Sequence, residues 1–384
     1  MRRRMDPDEL PREWDAVVVG AGIAGAMSAL HLARTGLRVL LVEKSAWPRA
    51  KACGGCLNAA ALRAFAGHGI ELREGSAYNR MRLYCLGRAA SLPLPPGIAI
   101  SRLRLDSILV QHAIEAGVRF LPATRATLER PTRRGRDLVL RNRSARCTVE
   151  ARVVLDCGGL ATSLESDPDW RIAPRARIGV AATLPEAPAG YGSGIIHMAC
   201  AAHGYVGLVR AGNGAVNIAA ALDPVRCHEA GGPAAAVMEI LRAVGLPALQ
   251  NLHRQDWRGT PRLTRMRRQP GAEQRVLILG DAAGYVEPFT GEGMAWAIAD
   301  AAAVLPFARE AVACWTDDIA ARWSTRHRRM LRARQRVCRG ISGLLRHPSL
   351  LAAALPLLDR APVVAEPLTA WLNRDLEGSD MVAA

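Results

Sequence analysis

Lysine is nearly absent from this chain of 384 residues: of its 51 basic side chains only Lys44 and Lys51 are lysine, and the other 49 are arginine. Alongside the many alanines, that skew reads as codon bias as readily as a binding surface. The net charge of +16 is therefore weak evidence for a polyanionic partner. No RNP, zinc-finger or other nucleic-acid signature accompanies it, and nucleic-acid binding is not expected. Long apolar runs are lacking too. Leu350 to Leu358 is nine residues with Pro356 inside it, against roughly 20 for a membrane span. The opening Met1-Arg2-Arg3-Arg4-Met5 runs into Asp-Pro-Asp-Glu, not into the apolar stretch of a secretory signal. Cysteines number nine, an odd count at irregular spacing, which argues against a disulfide framework and for a reducing cytosol. One segment has no acid at all: residues 320–346 hold nine arginines, and without them the positive excess falls to +7.

What is present is globular. Half the residues are apolar, 22% are charged, and the length allows two to three domains with a sizeable core.

Asp15 to Gly20 is a short β-branched run leading into Gly20-Ala-Gly22-Ile23-Ala24-Gly25, which reads as strand, tight turn and helix start. Ile23, Ala26, Leu30 and Ala33 share a helical face, Gly36 ends the helix, and Leu37 to Glu43 reads as a second strand closed by an acid. In such a βαβ unit the glycines let backbone N–H groups reach a pyrophosphate, and the Glu43 carboxylate accepts from ribose hydroxyls. An acid there favours FAD or NAD over NADP. GxGxxG alone is a weak signal; the strand, helix, second strand and acid at their due places make it specific.

A second strand-and-turn follows far along the chain. Arg275 to Leu279 precedes Gly280-Asp281-Ala-Ala-Gly284, and Pro288-Phe-Thr-Gly291-Glu292-Gly293-Met294 opens an apolar helix. With these motifs, Lys51-Ala-Cys53-Gly54-Gly55, Arg102-x-x-x-Asp106 and the Gly204-Tyr205 hairpin, the chain resembles FAD-dependent oxidoreductases of the p-hydroxybenzoate hydroxylase superfamily, within it the geranylgeranyl reductase-like branch, over roughly residues 14 to 310.

The resemblance implies an α/β fold: a Rossmann-like FAD-binding domain from segments 14–75, 100–165 and 270–310, an inserted β-sheet substrate domain from 76–99 and 166–269, and a C-terminal helical region, 311–384. It implies FAD contacts from Gly20, Gly22, Ile23, Ala24, Gly25, Glu43, Lys44, Gly54, Gly55, Arg102, Gly280, Asp281, Pro288, Gly291, Glu292, Gly293 and Met294. Asp281 would bond the ribityl chain, and the helix near Gly291 would point its positive end at the flavin. Reduced flavin is anionic, which gives that last role a physical reason. The superfamily's adjacent Asp-Gly is interrupted here by Cys157, so the electron donor is left as NAD(P)H or another carrier.

Cys53-Gly-Gly-Cys56 admits several chemistries. A zinc site needs four ligands, and no second CxxC occurs. A dithiol centre exchanging electrons with flavin is chemically possible. The resemblance instead makes Cys53 a catalytic-cavity residue, with Cys56 additional to the pattern. The substrate it implies is an apolar small molecule, reduced at a C=C bond. The alternative is an NAD(P)H-dependent monooxygenase hydroxylating an aromatic or polyketide-like substrate. A non-enzymatic flavin protein is the third class.

From Arg322 to Leu345 the pattern is helical, with Trp323, Met330, Val337, Ile341 and Leu344 as an apolar stripe among arginines. Such a helix either packs on the domain or lies against an anionic bilayer, a peripheral contact at the inner membrane.

Overall fold

Short β-branched strands are buried on both faces here, as parallel sheets covered by helices require. In the computed structural model, which describes residues 10–161, 164, 170–186, 188, 190–212, 214–267, 274–287 and 289–376, the chain opens with β1 (Glu13–Val19), α1 (Ile23–Arg34) and β2 (Val39–Val42). Next come β3 (Cys56–Leu57), α2 (Ala59–Gly67), β4 (Ser76–Cys85), β5 (Arg88–Ala99) and α3 (Arg102–Glu115). Strands β6 (Arg119–Leu121), β7 (Arg125–Pro131), β8 (Arg136–Arg141) and β9 (Arg146–Asp156) follow. The middle of the chain supplies β10 (Trp170–Ile172), β11 (Ile178–Leu184), β12 (Ile195–Ala201), β13 (Gly204–Arg210), β14 (Val216–Leu222), α4 (Pro224–Glu229) and α5 (Pro233–Ala243). Strands β15 (Arg258–Arg262), β16 (Arg265–Arg267), β17 (Val276–Ile278) and β18 (Gly284–Tyr285) lead to α6 (Gly293–Ala303), α7 (Leu305–Ala313), α8 (Asp318–Leu344), α9 (Pro348–Arg360) and α10 (Glu366–Leu372).

The first sheet runs β6-β2-β1-β9-β8-β7, with β17 also paired to β9. Its centre is parallel: Val17 lies opposite Leu40 on one side and Val154 on the other, and Leu277 opposite Leu155. Residues 276–278 thus join strands laid down more than a hundred positions earlier, which brings both nucleotide motifs to the same end of one sheet. Helices α1, α3, α6 and α8 cover one face, where Met27, Leu30, Leu105, Ile298 and Trp323 are buried together.

The second sheet runs β15-β11-β14-β13-β12-β4-β5-β3. One face packs Val206 and Ile218 on Val237, Ile240 and Leu241 of α5. On the other, Leu83, Met198 and Tyr205 cluster with Leu345, Leu351 and Leu355 of the C-terminal helices. The hairpin expected at Gly204 and Ala215 is β13 and β14, with Val206 opposite Ala220; Asn213 of its turn lies outside the described residues.

Helix α8 packs on the first sheet and its covering helices, but rotated from the expected stripe. Trp323 and Met330 are buried as expected, whereas Val337 and Ile341 are only partly covered and Leu344 is 43% exposed. Their place is taken by His327, Arg334 and Cys338, all buried. Arg334, one of the arginines around the stripe, is drawn inward by polar partners just before α6 and at the end of α10, described below. Among the described residues no single helix is long and apolar enough to cross a membrane.

Candidate functional site

Where the two sheets face each other a cavity of about 900 Å³ opens between the C-terminal ends of β1 and β17 and the inner face of the second sheet. One part of it is glycine-rich and charged, lined by Gly20, Gly22, Glu43, Arg102, Gly280 and Asp281. The other is apolar, lined by Met81, Leu83, Leu92, Met198, Leu263 and Phe289.

Two positions of the turn after β1 admit only glycine. Gly20 has φ +105° and packs on the Cys157 carbonyl, and a Cβ on Gly25 would collide with the Gly20 carbonyl oxygen. Gly25 therefore serves the close approach of α1 to the turn and does not line the cavity; Gly20, Gly22, Ile23 and Ala24 do. Glu43, at the end of β2, is held in place by its backbone partners. Its Oε2 accepts from Ala21 N (3.2 Å) and its Oε1 from Ser45 N (2.9 Å), with Arg49 Nε 3.5 Å away. Lys44 lies beside it on the cavity wall.

Three charged side chains form a unit across the turn. Asp106 is fully buried and accepts from Lys51 Nζ (2.6 Å) and from Arg102 Nε (3.0 Å) and Nη2 (3.2 Å). Burial alone would raise its carboxyl, but the two cations overrule that and hold it below the usual carboxylate range. A Cβ on Gly22 would come 3.1 Å from Lys51 Nζ, so this ammonium caps the glycine turn. The Arg102/Asp106 spacing was visible as an i, i+4 pair; the part played by Lys51 was not.

At the other motif Gly280 N donates to Asp300 Oδ2 (2.8 Å), and His327 Nε2 of α8 lies 3.3 Å from the same oxygen. Asp300 was not singled out from the sequence, although a lone acid inside the apolar run 294–303 was a signal. Asp281 faces the cavity; burial pushes its carboxyl up to about 6 against the pull of Arg102 and Lys51. Gly291, Gly293 and Met294 line the cavity at the start of α6. Glu292 does not. It is 1% exposed and turned away, ion-paired to Arg334, with Cys338 Sγ 3.5 Å distant. Arg334 also donates to the carbonyls of Leu372 (2.6 Å) and Arg374 (2.7 Å). Pro288 lies outside the described residues.

The loop Cys53-Gly54-Gly55 lies at the junction of the two parts. Gly55 N donates to Cys53 Sγ (3.4 Å), and a Cβ on Gly54 would stand 3.5 Å from the Ala219 side chain of the roofing sheet. Cys56 enters β3, opposite Ala99, and its thiol is pushed up to about 12 by burial, with Cys53 adding to the shift.

These features define a flavoprotein dinucleotide site: a glycine cradle that a Cβ would fill, an acid at the second strand end, and a second glycine-rich turn meeting it across one sheet. The chain belongs to the FAD-binding domain family, whose profile matches residues 13–306, and FAD is its cofactor. It is similar to a menaquinone reductase of Mycobacterium tuberculosis, 32% identical over 120 residues and covering 29% of each chain. It is also similar to a geranylgeranyl diphosphate reductase of Rhodobacter capsulatus, 30% identical over 162 residues and covering 40% of each. These matches span less than half of either relative. Among solved structures, a flavin-dependent brominase superposes with a TM-score of 0.78 at 15% identity, covering 94% of this chain and 93% of that one, a likeness of fold. A p-nitrophenol 4-monooxygenase of Pseudomonas putida shares the fold too, with a TM-score of 0.76 at 14% identity, covering 94% of this chain and 99% of that one.

Proposed function

We propose that this protein reduces a C=C bond in an apolar small molecule, in the manner of the geranylgeranyl reductase-like branch. The observation that carries the reading is the division of the cavity. Beside the charged, glycine-rich part lies an apolar part walled by Met81, Leu83, Leu92, Met198, Leu263 and Phe289, with Cys53, Gly54 and Gly55 lining the same cavity. Such a chamber pairs with hydrocarbon, which gains by leaving water and needs no polar partner. The reductases among its relatives add support.

FAD, reduced by NAD(P)H or another carrier, supplies the hydride. The chain's own residues hold the cofactor's polar parts: the turn at Gly20 to Gly22 and the Lys51/Arg102 pair toward the pyrophosphate, Glu43 toward the ribose, Asp281 toward the ribityl chain. The apolar walls exclude water from the carbon that accepts the hydride, and solvent or a group near Cys53 returns a proton to the neighbouring carbon. The test is anaerobic. Flavin reduced with dithionite should reoxidise on addition of an unsaturated prenyl compound, and the product should gain two hydrogens. Reoxidation only with oxygen, with an oxygen atom added to an aromatic compound, would replace this reading by the monooxygenase one.

A further inference from the structure

We propose that α9 and the segment leading into α10 dock on an anionic lipid surface, so that the cavity opens against the bilayer. Ten large apolar side chains are exposed among the described residues, and six of them fall between Leu344 and Leu368. Helix α9 is apolar on two sides. Leu351 and Leu355 are buried against the second sheet, while Leu350, Ala353 and Leu357, at i, i+3 and i+7, form a stripe in water. A helix apolar on both faces is normally buried on both, and here one is uncovered. Val363 and Val364 extend that stripe, at 61% and 58% exposure.

The patch is also the rim of the cavity. Leu344, Val364 and Leu368 are exposed and at the same time line it, so an apolar molecule can pass from the patch into the chamber without crossing water. Charge selects lipid over another protein as the occupant. No acidic residue occurs between Ile319 and Leu358, and Arg328, Arg329, Arg332, Arg336 and Arg339 of the adjoining helix are exposed. The first acid beyond them, Asp359, accepts from Ser91 N at 3.0 Å. An apolar patch beside an acid-free arginine face matches the two components of an anionic bilayer, acyl chains and headgroups. This moves the membrane contact expected of the basic helix alone onto the apolar elements that follow it. The entry route rests on the proposed apolar substrate; the docking itself does not.

The experiment is flotation of the FAD-loaded full chain with vesicles of phosphatidylcholine, with or without phosphatidylglycerol. The wild type should float with the anionic vesicles, and binding should weaken as salt rises. L350E/L357E, altered at exposed positions that do not line the cavity, should lose about tenfold or more in vesicle affinity, with FAD content and melting temperature unchanged. V363E is the second variant should the double one fail to fold. The proposal is overturned if the wild type ignores both vesicle types, or if the variants float equally well. It is also overturned if wild type alone elutes as a dimer that the variants break while none binds vesicles, which would assign the face to a second copy. Because flotation needs no turnover, failure of the reductase assay leaves its result intact.

Discussion

Arg334 of α8 and Glu292, the residue before α6, are buried partners forty-two positions apart, and the same guanidinium takes the carbonyls of Leu372 and Arg374. One side chain thus ties the turn that lines the cavity to the C-terminal arm. Arg334→Met leaves Glu292 charged and unpaired in the interior. It should cost about 3–5 kcal/mol in urea unfolding and weaken FAD binding as the turn Gly291–Gly293 loosens. Arg334→Lys restores the charge without the planar fork and should recover only part of both. A Met variant as stable as wild type would show that the pair is idle.

Asp281 makes the flavin-free protein sensitive to pH. Its folded carboxyl is raised to about 6, above an unfolded value of about 3.9, so the folded state holds the proton more tightly. Stability is full below the lower value and falls as pH rises through the upper one, by up to about 3 kcal/mol. Asp281→Asn should flatten the apoprotein's stability between about pH 4 and pH 7, raising it at neutrality, while weakening FAD retention. Parallel wild-type and variant profiles would refute this.

The two glycines of the first motif should fail in different ways. Gly25→Val places atoms inside the Gly20 carbonyl and should prevent stable folding, read as loss of the cooperative melt. At Gly22 the nearest obstacle is the flexible end of Lys51. Gly22→Val should therefore fold and yet come off the column colourless. Yellow Gly22→Val protein would contradict the assigned cradle.

The two thiols of the Cys53–Cys56 loop should also separate. Cys56, in β3 and held protonated at neutral pH by burial, is a poor electron carrier. Cys53→Ser should change turnover or product distribution with FAD still bound, and Cys56→Ser should leave both nearly intact. Dithionite titration of wild type should consume only what the flavin takes. Extra uptake, with equal damage from both substitutions, would reinstate a dithiol centre.

Much of this was legible because it is local. The βαβ unit, the Gly280 turn and the β13/β14 hairpin each announce themselves within about thirty residues, through β-branched runs and glycines at tight turns. The misreadings are long-range. Glu292 sits between Gly291 and Gly293, which both line the cavity, and nothing within ten residues says that its side chain turns away. The reason lies at Arg334, and the same pairing rotates α8 off its apolar stripe. The role of Lys51 is not legible in the sequence because its partner, Asp106, is brought to it only by the docking of α3.

The order in which the parts meet has a bearing on synthesis. β17 must enter beside β9, and Arg334 waits on carbonyls at 372 and 374, so the cavity keeps an open wall until residues beyond 370 have been made. A chain cut short after α8 would carry both nucleotide motifs and the Glu292–Arg334 pair, and still leave that guanidinium without the carbonyls of Leu372 and Arg374.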